Sequence, residues 1–336
     1  MKVCFFANAP FDLIKVVEFY KTDIRILEEL GFEVKVSNSF SNIEKNADLY
    51  FAYWASSGAK AIMYSKMIGK PNILVAAGSD VCKSDKTSTG FDARPYWQKK
   101  IIKWTLKNSN AVLVDSKHVL QQARMLGGKN LKLCYFGIDT EKYKPLKIKK
   151  EKSVVLVSHV SKHNVERKRI MDILDAMKIV VNDIPDAKFV LIGTLIDGFP
   201  AVKERVKNLG LERNVEFHES REMKEKEKIR LVNKSVAFVQ PSMHEGFGLA
   251  MAEAMACGLP VIVSRKGATP EVAGGAGLYV PVKNPKKLAE AILKVLKNGE
   301  LVERLGNIGR ERIKEIFNYG QRKECIADVV HRLLKA

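Results

Sequence analysis

The sequence is poor in the features that mark a disulfide scaffold or a membrane-spanning protein. Its 336 residues include only 5 cysteines, which are scattered, odd in number and never form a C-x-x-C pair. Such cysteines are typical of reduced, mostly buried thiols. No window reaches the roughly 18 uncharged apolar residues of a transmembrane helix, and the apolar start at 3–7 is too short for a signal peptide. We therefore expect a globular, cytoplasmic protein.

Acidic residues are scarce relative to basic ones. The chain has 57 Lys and Arg against 38 Asp and Glu, a formal net charge of +19, which suggests an anionic partner such as nucleic acid, a lipid surface or a phosphorylated substrate. The excess is spread evenly, because residues 1–146 hold 22 basic and 14 acidic side chains and the remainder hold 35 and 24. This spread disfavours a dedicated nucleic-acid-binding arm, and the sequence carries no RNA- or DNA-binding signature.

Short apolar runs alternate with helical patterns along the whole chain. The predicted strands span 2–7, 33–37, 48–53, 72–77, 111–115 and 131–135, then 153–159, 188–193, 214–217, 235–240, 260–264 and 277–280. Apolar residues at helical spacing lie between them, for example at about 168–181, 249–257 and 301–316. This alternation predicts an α/β fold of parallel sheets covered by helices. A charged stretch at 143–152 interrupts it, so we predict two domains joined near residue 147.

A dinucleotide-binding dehydrogenase is one enzyme class with such a fold. Its first strand leads into a G-x-G-x-x-G turn that holds a pyrophosphate. Here the first strand leads into Asn8-Ala-Pro-Phe-Asp12, which contains no glycine. The sequence therefore disfavours this class.

The segment 236–264 carries the most chemical information. A predicted strand runs into a loop with Gly246 and Gly248 and then into a helix. Glycines let a ligand approach the backbone closely, and the free amides at a helix start suit a phosphate. Glu245 precedes the turn and Glu253 lies on the helix, whose rise of about 1.5 Å per residue spreads the two carboxylates along an extended ligand. They suit two sugar rings bridged by phosphates better than the paired carboxylates of a hydrolase.

The residues around both glutamates resemble a known signature. The run Glu245-Gly-Phe-Gly-Leu, followed by Glu253-Ala-Met-Ala-Cys-Gly-Leu-Pro-Val and Ala268-Thr-Pro-Glu271, resembles the E-x7-E segment of retaining glycosyltransferases of the GT-B fold, family 4 (glycosyl transferases group 1). Stretches at 137–139, 166–176 and 186–193 resemble the same family in the same order. Residues 317–336 resemble its terminal segment, which crosses back onto the first domain.

This resemblance implies a fold and a reaction. Two Rossmann-like domains would face each other across a cleft: an acceptor-side domain at 1–146, to which a helix at 319–336 returns, and a donor-binding domain at 147–318. The reaction would move a sugar from a nucleoside-diphosphate sugar to a glycan or lipid-linked acceptor. No Asp-x-Asp motif occurs, which disfavours the metal-dependent glycosyltransferase fold, and the resemblance implies neither a metal nor another cofactor.

By the same resemblance, Lys168 and Glu245 are the expected catalytic residues. Lys168, together with Lys162 six residues earlier, would contact the donor diphosphate, since a leaving diphosphate needs positive charge. Glu245 would face the transferred sugar, and Glu253 would bind the ribose hydroxyls. The backbone of the intervening turn would line the phosphates or the sugar hydroxyls, through Gly246, Phe247, Gly248 and Leu249. The side chain of Phe247 equally suits core packing.

The first domain departs from the family pattern. Many relatives carry a His-Gly pair after the fourth strand, where this chain reads Ala76-Ala-Gly-Ser-Asp80. We expect Gly78, Ser79 and Asp80 to line the acceptor side, although a simple polar turn explains them equally well. Two alternatives therefore stay open: a catalytically idle relative that only binds a sugar nucleotide, and a basic nucleic-acid-binding protein.

One helical pattern in the first domain suggests a membrane partner. Trp97, Ile101 and Trp104 share one face, with Lys100, Lys103 and Lys107 beside it. This pattern suits an anionic membrane surface, on the cytoplasmic side, to which the protein would bind peripherally. The commoner arrangement with the same spacing is a helix packed on the first sheet with a solvated lysine edge.

Overall fold

The computed structural model describes residues 1–83 and 90–335, which form two compact units. The first comprises 1–83, 90–137 and 317–335, and the second comprises 138–316. The chain thus changes units between Gly137 and Ile138, ahead of the boundary expected between 146 and 147. The charged stretch after Ile138 already packs with the second unit, since the backbone N–H of Leu146 donates to Asn233 Oδ1 at 2.8 Å.

The first unit contains one parallel sheet with the strand order β2-β1-β3-β4-β5-β6. Its strands within the described residues are β1 (Lys2–Phe6), β2 (Glu33–Ser37), β3 (Leu49–Tyr53), β4 (Asn72–Ala76), β5 (Ala111–Val114) and β6 (Leu131–Leu133). Its helices there are α1 (Phe11–Val16), α2 (Glu18–Glu29), α3 (Ala59–Met67), α4 (Gly78–Val81), α5 (Tyr96–Asn108) and α6 (Lys117–Met125), with the last helix of the chain at Tyr319–Lys335. Strands β3 and β4 are buried along their whole length, which explains their continuous apolar sequence.

The second unit contains a parallel sheet with the strand order β12-β11-β10-β7-β8-β9. Its strands are β7 (Ser153–Val157), β8 (Lys188–Gly193), β9 (Val215–Glu219), β10 (Ala237–Gln240), β11 (Val261–Val263) and β12 (Gly277–Tyr279). Its helices are α7 (Lys162–Arg167), α8 (Ile170–Asp183), α9 (Phe199–Leu209), α10 (Glu225–Lys234), α11 (Leu249–Ala256), α12 (Thr269–Ala273), α13 (Pro285–Lys297) and α14 (Gly299–Ile316). The last helix of the chain, α15 (Tyr319–Lys335), belongs to the first unit.

The two sheets confirm the predicted α/β fold with two Rossmann-like domains. Each predicted strand is present, and the observed strands differ from the predicted ones by two residues or fewer at either end. None of the described helices is both long and apolar enough to span a membrane.

The helix predicted at about 168–181 is confirmed as α8, and a left-handed residue separates it from the short helix α7, which was not predicted. Helix α7 ends at Arg167, and Arg169 has φ 58° and ψ 42° before α8 begins. A side chain in this conformation is costly, but the guanidinium of Arg169 binds both carboxylate oxygens of Asp172 at 2.8 and 2.6 Å. This turn places Lys168 between the two helices.

Replacement of Arg169 tests the cost of this backbone conformation. Arg169→Ala and Arg169→Gly both remove the contact with Asp172, but only glycine relieves the left-handed strain. We therefore expect Arg169→Gly to be more stable than Arg169→Ala by about 1 kcal/mol, measured as the free energy of unfolding in urea. The same pair of substitutions at Lys178, an exposed residue within α8, should show the opposite order by about the same amount. Equal stabilities of the two Arg169 variants would contradict the prediction.

Candidate active site

The second sheet reverses its strand order between β7 and β10. The chain proceeds outward from β7 to β8 and β9, then returns to place β10 on the other side of β7. Ligands of open α/β sheets bind beyond the carboxyl ends of the strands at such a switch point. Lys168 lies in the segment between β7 and α8, and Glu245 lies in the loop after β10, so the topology brings these two predicted residues together.

A cluster of polar side chains surrounds the carboxylate of Glu245. Its Oε1 atom accepts hydrogen bonds from Arg167 Nη1 at 2.7 Å, Gln240 Nε2 at 3.0 Å and Ser242 Oγ at 2.9 Å. Lys168 Nζ lies 3.4 Å from the same oxygen and donates to Gln240 Oε1 at 2.8 Å. We call these five residues the Glu245 cluster. It joins two positive charges and one negative charge at the switch point.

Burial and the neighbouring charges have opposing effects on the pKa of Glu245 and on the pKa of Lys168. Glu245 and Lys168 are 7% and 8% exposed. Burial opposes ionisation of Glu245, but the charges of Arg167 and Lys168 and the bond from Ser242 outweigh it and lower its pKa from 4.5 to about 2. Burial lowers the pKa of Lys168 from 10.5 to about 8, although Glu245 acts against this shift. Both groups are therefore charged at neutral pH.

Backbone contacts fix the position of the cluster. The N–H of Met243 donates to Arg167 O at 2.8 Å, and Arg167 Nη1 donates to His244 O at 2.9 Å. The N–H of Ala268, after β11, donates to Glu245 O at 2.8 Å. Gly267 has φ +60°, and a Cβ atom there would lie 2.2 Å from Glu245 O. Only glycine therefore fits beside the Glu245 backbone.

Three members of the Glu245 cluster were not predicted from the sequence: Arg167, Gln240 and Ser242. Arg167 was seen only as part of a family motif, although its place next to Lys168 gave a signal. Gln240 is a polar residue at the end of the otherwise apolar strand β10, and a buried polar side chain at a strand end is a sign of a site. Lys162, by contrast, is an exposed residue at the start of α7 whose backbone N–H donates to Asp197 Oδ1 at 3.2 Å. Among the described residues, no contact joins its side chain to the Glu245 cluster.

The turn after Glu245 leads into the amino end of α11. Gly248, the residue that caps this helix, has φ 91°, a conformation that favours glycine. Gly246 and Leu249 are half-buried, so their backbone can meet a ligand, whereas Phe247 is 3% exposed and packs in the core. The side chain of Phe247 therefore serves packing, and only its backbone is suited to a ligand.

Glu253 lies on α11 and lines a small cavity. Other residues of that cavity include Tyr143, Lys228 and Cys257. Lys228 Nζ lies 3.8 Å from Glu253 Oε2 and 2.9 Å from Glu225 Oε1. The carboxylate of Glu253 is thus paired with a cation at the edge of a small, mostly apolar recess.

In the first unit, the predicted acceptor-side residues lie directly after β4. Gly78, Ser79 and Asp80 belong to α4; Ser79 is exposed, whereas Asp80 is 1% exposed. Asp80 Oδ2 accepts hydrogen bonds from the N–H and hydroxyl of Ser56 at 2.9 and 3.3 Å. Burial raises the pKa of Asp80 from 3.8 to about 6.

The fold and the site define a glycosyltransferase with the GT-B fold. Residues 138–312 match the model of the family "Glycosyl transferases group 1", which is just over half of the chain. The chain belongs to this family. It is 27% identical over 335 residues to N-acetyl-alpha-D-glucosaminyl L-malate synthase of Bacillus anthracis, an alignment that covers 93% of this chain and 84% of that protein.

Solved structures show the same fold over almost the whole length. Sucrose-phosphate synthase from Thermosynechococcus elongatus superposes with a TM-score of 0.82 at 18% identity, covering 100% of this chain and 99% of that one. Anabaena HepE in complex with UDP and glucose superposes with a TM-score of 0.79 at 17% identity, covering 99% and 100%. The solved structures confirm the predicted fold, and the family match confirms that the chain is a glycosyltransferase.

Proposed function

We propose that the protein is a retaining glycosyltransferase that moves a sugar from a nucleoside-diphosphate sugar to a glycan or lipid-linked acceptor. The observation that carries this proposal is the Glu245 cluster, where two basic side chains meet just before the start of α11 at the switch point of the sheet. Cations combined with helix amides favour a diphosphate. Structures of Anabaena HepE with UDP and glucose, and with UDP-glucose, support a nucleotide-sugar donor.

Each charged member of the Glu245 cluster has a proposed role. Lys168 binds the donor diphosphate, and the bound anion keeps its ammonium protonated. Arg167 supplies the second positive charge, in place of the exposed Lys162. Glu245 orients both cations and accepts a hydrogen bond from a hydroxyl of the transferred sugar. The turn contributes backbone contacts to the phosphates through Gly246, Phe247, Gly248 and Leu249.

The proposed chemistry takes place on one face of the sugar. The bond between the anomeric carbon and the diphosphate oxygen breaks, and the acceptor oxygen bonds to the same face of that carbon. The acceptor oxygen is itself the nucleophile, so no enzyme side chain takes that role. The departing phosphate oxygen takes the acceptor proton. Lys168 and Arg167 stabilise the negative charge that develops on the diphosphate. The reaction proposed in this way uses no metal ion.

We propose that the acceptor binds to the first unit near Gly78, Ser79 and Asp80. These residues follow β4 at the carboxyl edge of the first sheet, which is the edge where ligands of parallel sheets bind. Ser79 is exposed there, and its hydroxyl can bond to a sugar hydroxyl. The buried Asp80 holds the preceding loop through Ser56 and thereby shapes that edge.

A donor screen tests the proposed function. The protein is incubated with radiolabelled nucleotide sugars and with glycan and lipid extracts as acceptors, with and without EDTA. We expect transfer from one or a few donors, at a rate that EDTA leaves unchanged, and a product whose anomeric configuration by NMR equals that of the donor. Failure to bind or transfer from any donor would overturn the proposal, and an inverted product would overturn its retaining mechanism.

Glu253→Ala tests the proposed ribose contact. A hydrogen bond to a charged group contributes about 1.5–3 kcal/mol, so we expect the affinity for UDP, or for whichever nucleotide the screen identifies, to fall roughly tenfold to hundredfold. Calorimetric titration of the nucleotide measures this change. Glu225→Ala is the matched control, because Glu225 also pairs with Lys228 but does not line the cavity. An unchanged affinity in Glu253→Ala would contradict the assignment.

A further inference from the structure

Helices α3 and α5 lie side by side on one face of the first sheet. Ala61 and Ile62 of α3 and Ile102 and Leu106 of α5 all pack into a single hydrophobic core with side chains of β3, β4 and β5. The opposite sides of both helices therefore face away from the sheet. The sequence pattern had placed Trp97 and Trp104 on one helix face, and this face is not the one that packs on the sheet.

Large apolar side chains are exposed along both helices. Met63 and Met67 of α3 are 45% and 74% exposed, and Tyr96, Trp97 and Trp104 of α5 are 74%, 60% and 39% exposed. Single exposed apolar residues are ordinary on a protein surface. Five large ones on the outward sides of two adjacent helices indicate an interaction site.

The same two helices carry only positive charge. Neither helix contains Asp or Glu, whereas together they contain six lysines: Lys60, Lys66, Lys99, Lys100, Lys103 and Lys107. Within the described residues, none of these lysines forms an ion pair. Lys100 Nζ instead lies 5.2 Å from the ring centroid of Tyr96, which leaves its charge available to an external anion.

We propose that this α3–α5 surface, formed by the exposed apolar residues and lysines named above, docks the protein onto an anionic lipid bilayer. Tryptophan and tyrosine have an apolar body and a polar edge, so they favour the headgroup region of a membrane. Lysines beside them are attracted to anionic headgroups. Flexible methionines adapt to an irregular surface such as acyl chains.

The lysines and the exposed apolar side chains together favour an anionic bilayer over other binding partners of this surface. A second copy docked on the same surface would bring six more lysines against the first six, and this repulsion opposes self-association. A nucleic acid would satisfy the lysines but would leave the methionines without an apolar partner. An anionic bilayer satisfies both chemistries at once. The surface belongs to the first unit alone, so docking and the proposed sugar transfer are independent and can fail separately.

Vesicle sedimentation of the full chain tests the proposal. At low salt, we expect the protein to sediment with vesicles that contain phosphatidylglycerol and to stay in solution with vesicles of phosphatidylcholine alone. We expect Trp97→Ser/Trp104→Ser and Lys100→Gln/Lys103→Gln/Lys107→Gln each to lower the vesicle partition coefficient about tenfold or more. The control Lys203→Gln/Lys207→Gln/Lys286→Gln removes three exposed lysines of the second unit, and it should retain most of the binding. Circular dichroism verifies that every variant is folded.

Tryptophan fluorescence gives a second readout of the same surface. The chain has 3 tryptophans, of which Trp97 and Trp104 lie on the α3–α5 surface and Trp54 does not. Brominated anionic lipids should quench the natural protein, whereas Trp97→Phe/Trp104→Phe should still sediment but lose the quenching.

Three results would overturn the proposal. The first is a protein that stays in solution with anionic vesicles at low salt. The second is binding that neither set of surface substitutions weakens. The third is a dimer, seen by sedimentation velocity, that Trp97→Ser/Trp104→Ser converts to monomer, because that result would assign the surface to a second copy of the chain.

Discussion

Replacing Lys168 with alanine is expected to lower kcat/KM for the donor by about 100- to 1000-fold, the range typical of a lost preorganised donor to developing negative charge. In the proposed reaction, Lys168 contacts the diphosphate as it departs. It is 8% exposed, so little water reaches this position to replace its charge. Glu245 keeps its contacts with Arg167, Gln240 and Ser242, and the second unit should therefore stay folded.

The pH profile separates a catalytic role of Lys168 from a structural one. Because burial lowers its pKa to about 8, the free enzyme loses this positive charge as the pH rises through about 8. We expect kcat/KM for the donor to fall across that range in the natural protein, since kcat/KM reports the ionisations of the free enzyme. Lys168→Ala should lack this fall in kcat/KM. If Lys168 were only structural, the fall would come from another group and would remain in the variant.

Lys162→Ala is the matched control for Lys168→Ala. Both lysines were expected at the diphosphate, but Lys162 is exposed at the start of α7. We therefore expect its removal to change kcat/KM by less than about threefold, within the range of a screened surface charge. Equal losses in the two variants, or a loss only in Lys162→Ala, would contradict the assignment of the diphosphate site to the Glu245 cluster.

The positions of the strands along the chain were predictable from the sequence because buried parallel strands are short, continuous apolar runs. Strand β3, with the sequence Leu-Tyr-Phe-Ala-Tyr, and strand β8, with the sequence Lys-Phe-Val-Leu-Ile-Gly, were found for this reason. Glu245 and Lys168 were predicted from two separate stretches that resemble the family, 77 positions apart. The distance between them was not predictable, since it depends on where β10 enters the sheet.

Interactions that depend on backbone conformation or on distant residues were missed. Helix α7 and the left-handed turn at Arg169 were missed, because a positive φ leaves no mark in the pattern of apolar residues. Gln240 appeared to be the end of an apolar strand until the fold placed it beside Lys168. The pairing of Asp23 with Arg322 joins residues that are 299 positions apart, which no local pattern can indicate.

The pairing of Asp23 with Arg322 leads to the second large prediction. Arg322 Nε and Nη2 donate to the two oxygens of Asp23 at 3.0 and 2.6 Å, and Nη1 donates to Cys134 O at 2.6 Å. The side chains are 1% and 0% exposed, and the hydroxyl of Tyr53 also donates to Asp23 at 2.5 Å. This network attaches α15 to the sheet of the first unit.

Arg322→Met is expected to destabilise the first unit by about 3–5 kcal/mol, because it leaves the charge of Asp23 buried without its partner. All 3 tryptophans lie in the first unit, so the fluorescence change in urea reports the unfolding of that unit. Lys323→Met is the control: its ion pair with Glu29 has a similar length of 2.8 Å but is 36% and 39% exposed. The control should cost less than about 1 kcal/mol.

The double variant Asp23→Leu/Arg322→Met distinguishes the cost of an unpaired charge from the intrinsic contribution of the pair. Replacing both partners by apolar residues removes the buried charge altogether, so we expect it to recover more than half of the stability lost in Arg322→Met. Tyr53 keeps a partner in Phe19 O, which lies 3.2 Å from its hydroxyl. A double variant as unstable as Arg322→Met would show instead that the contacts of Arg322 themselves, including that with Cys134, hold α15 in place.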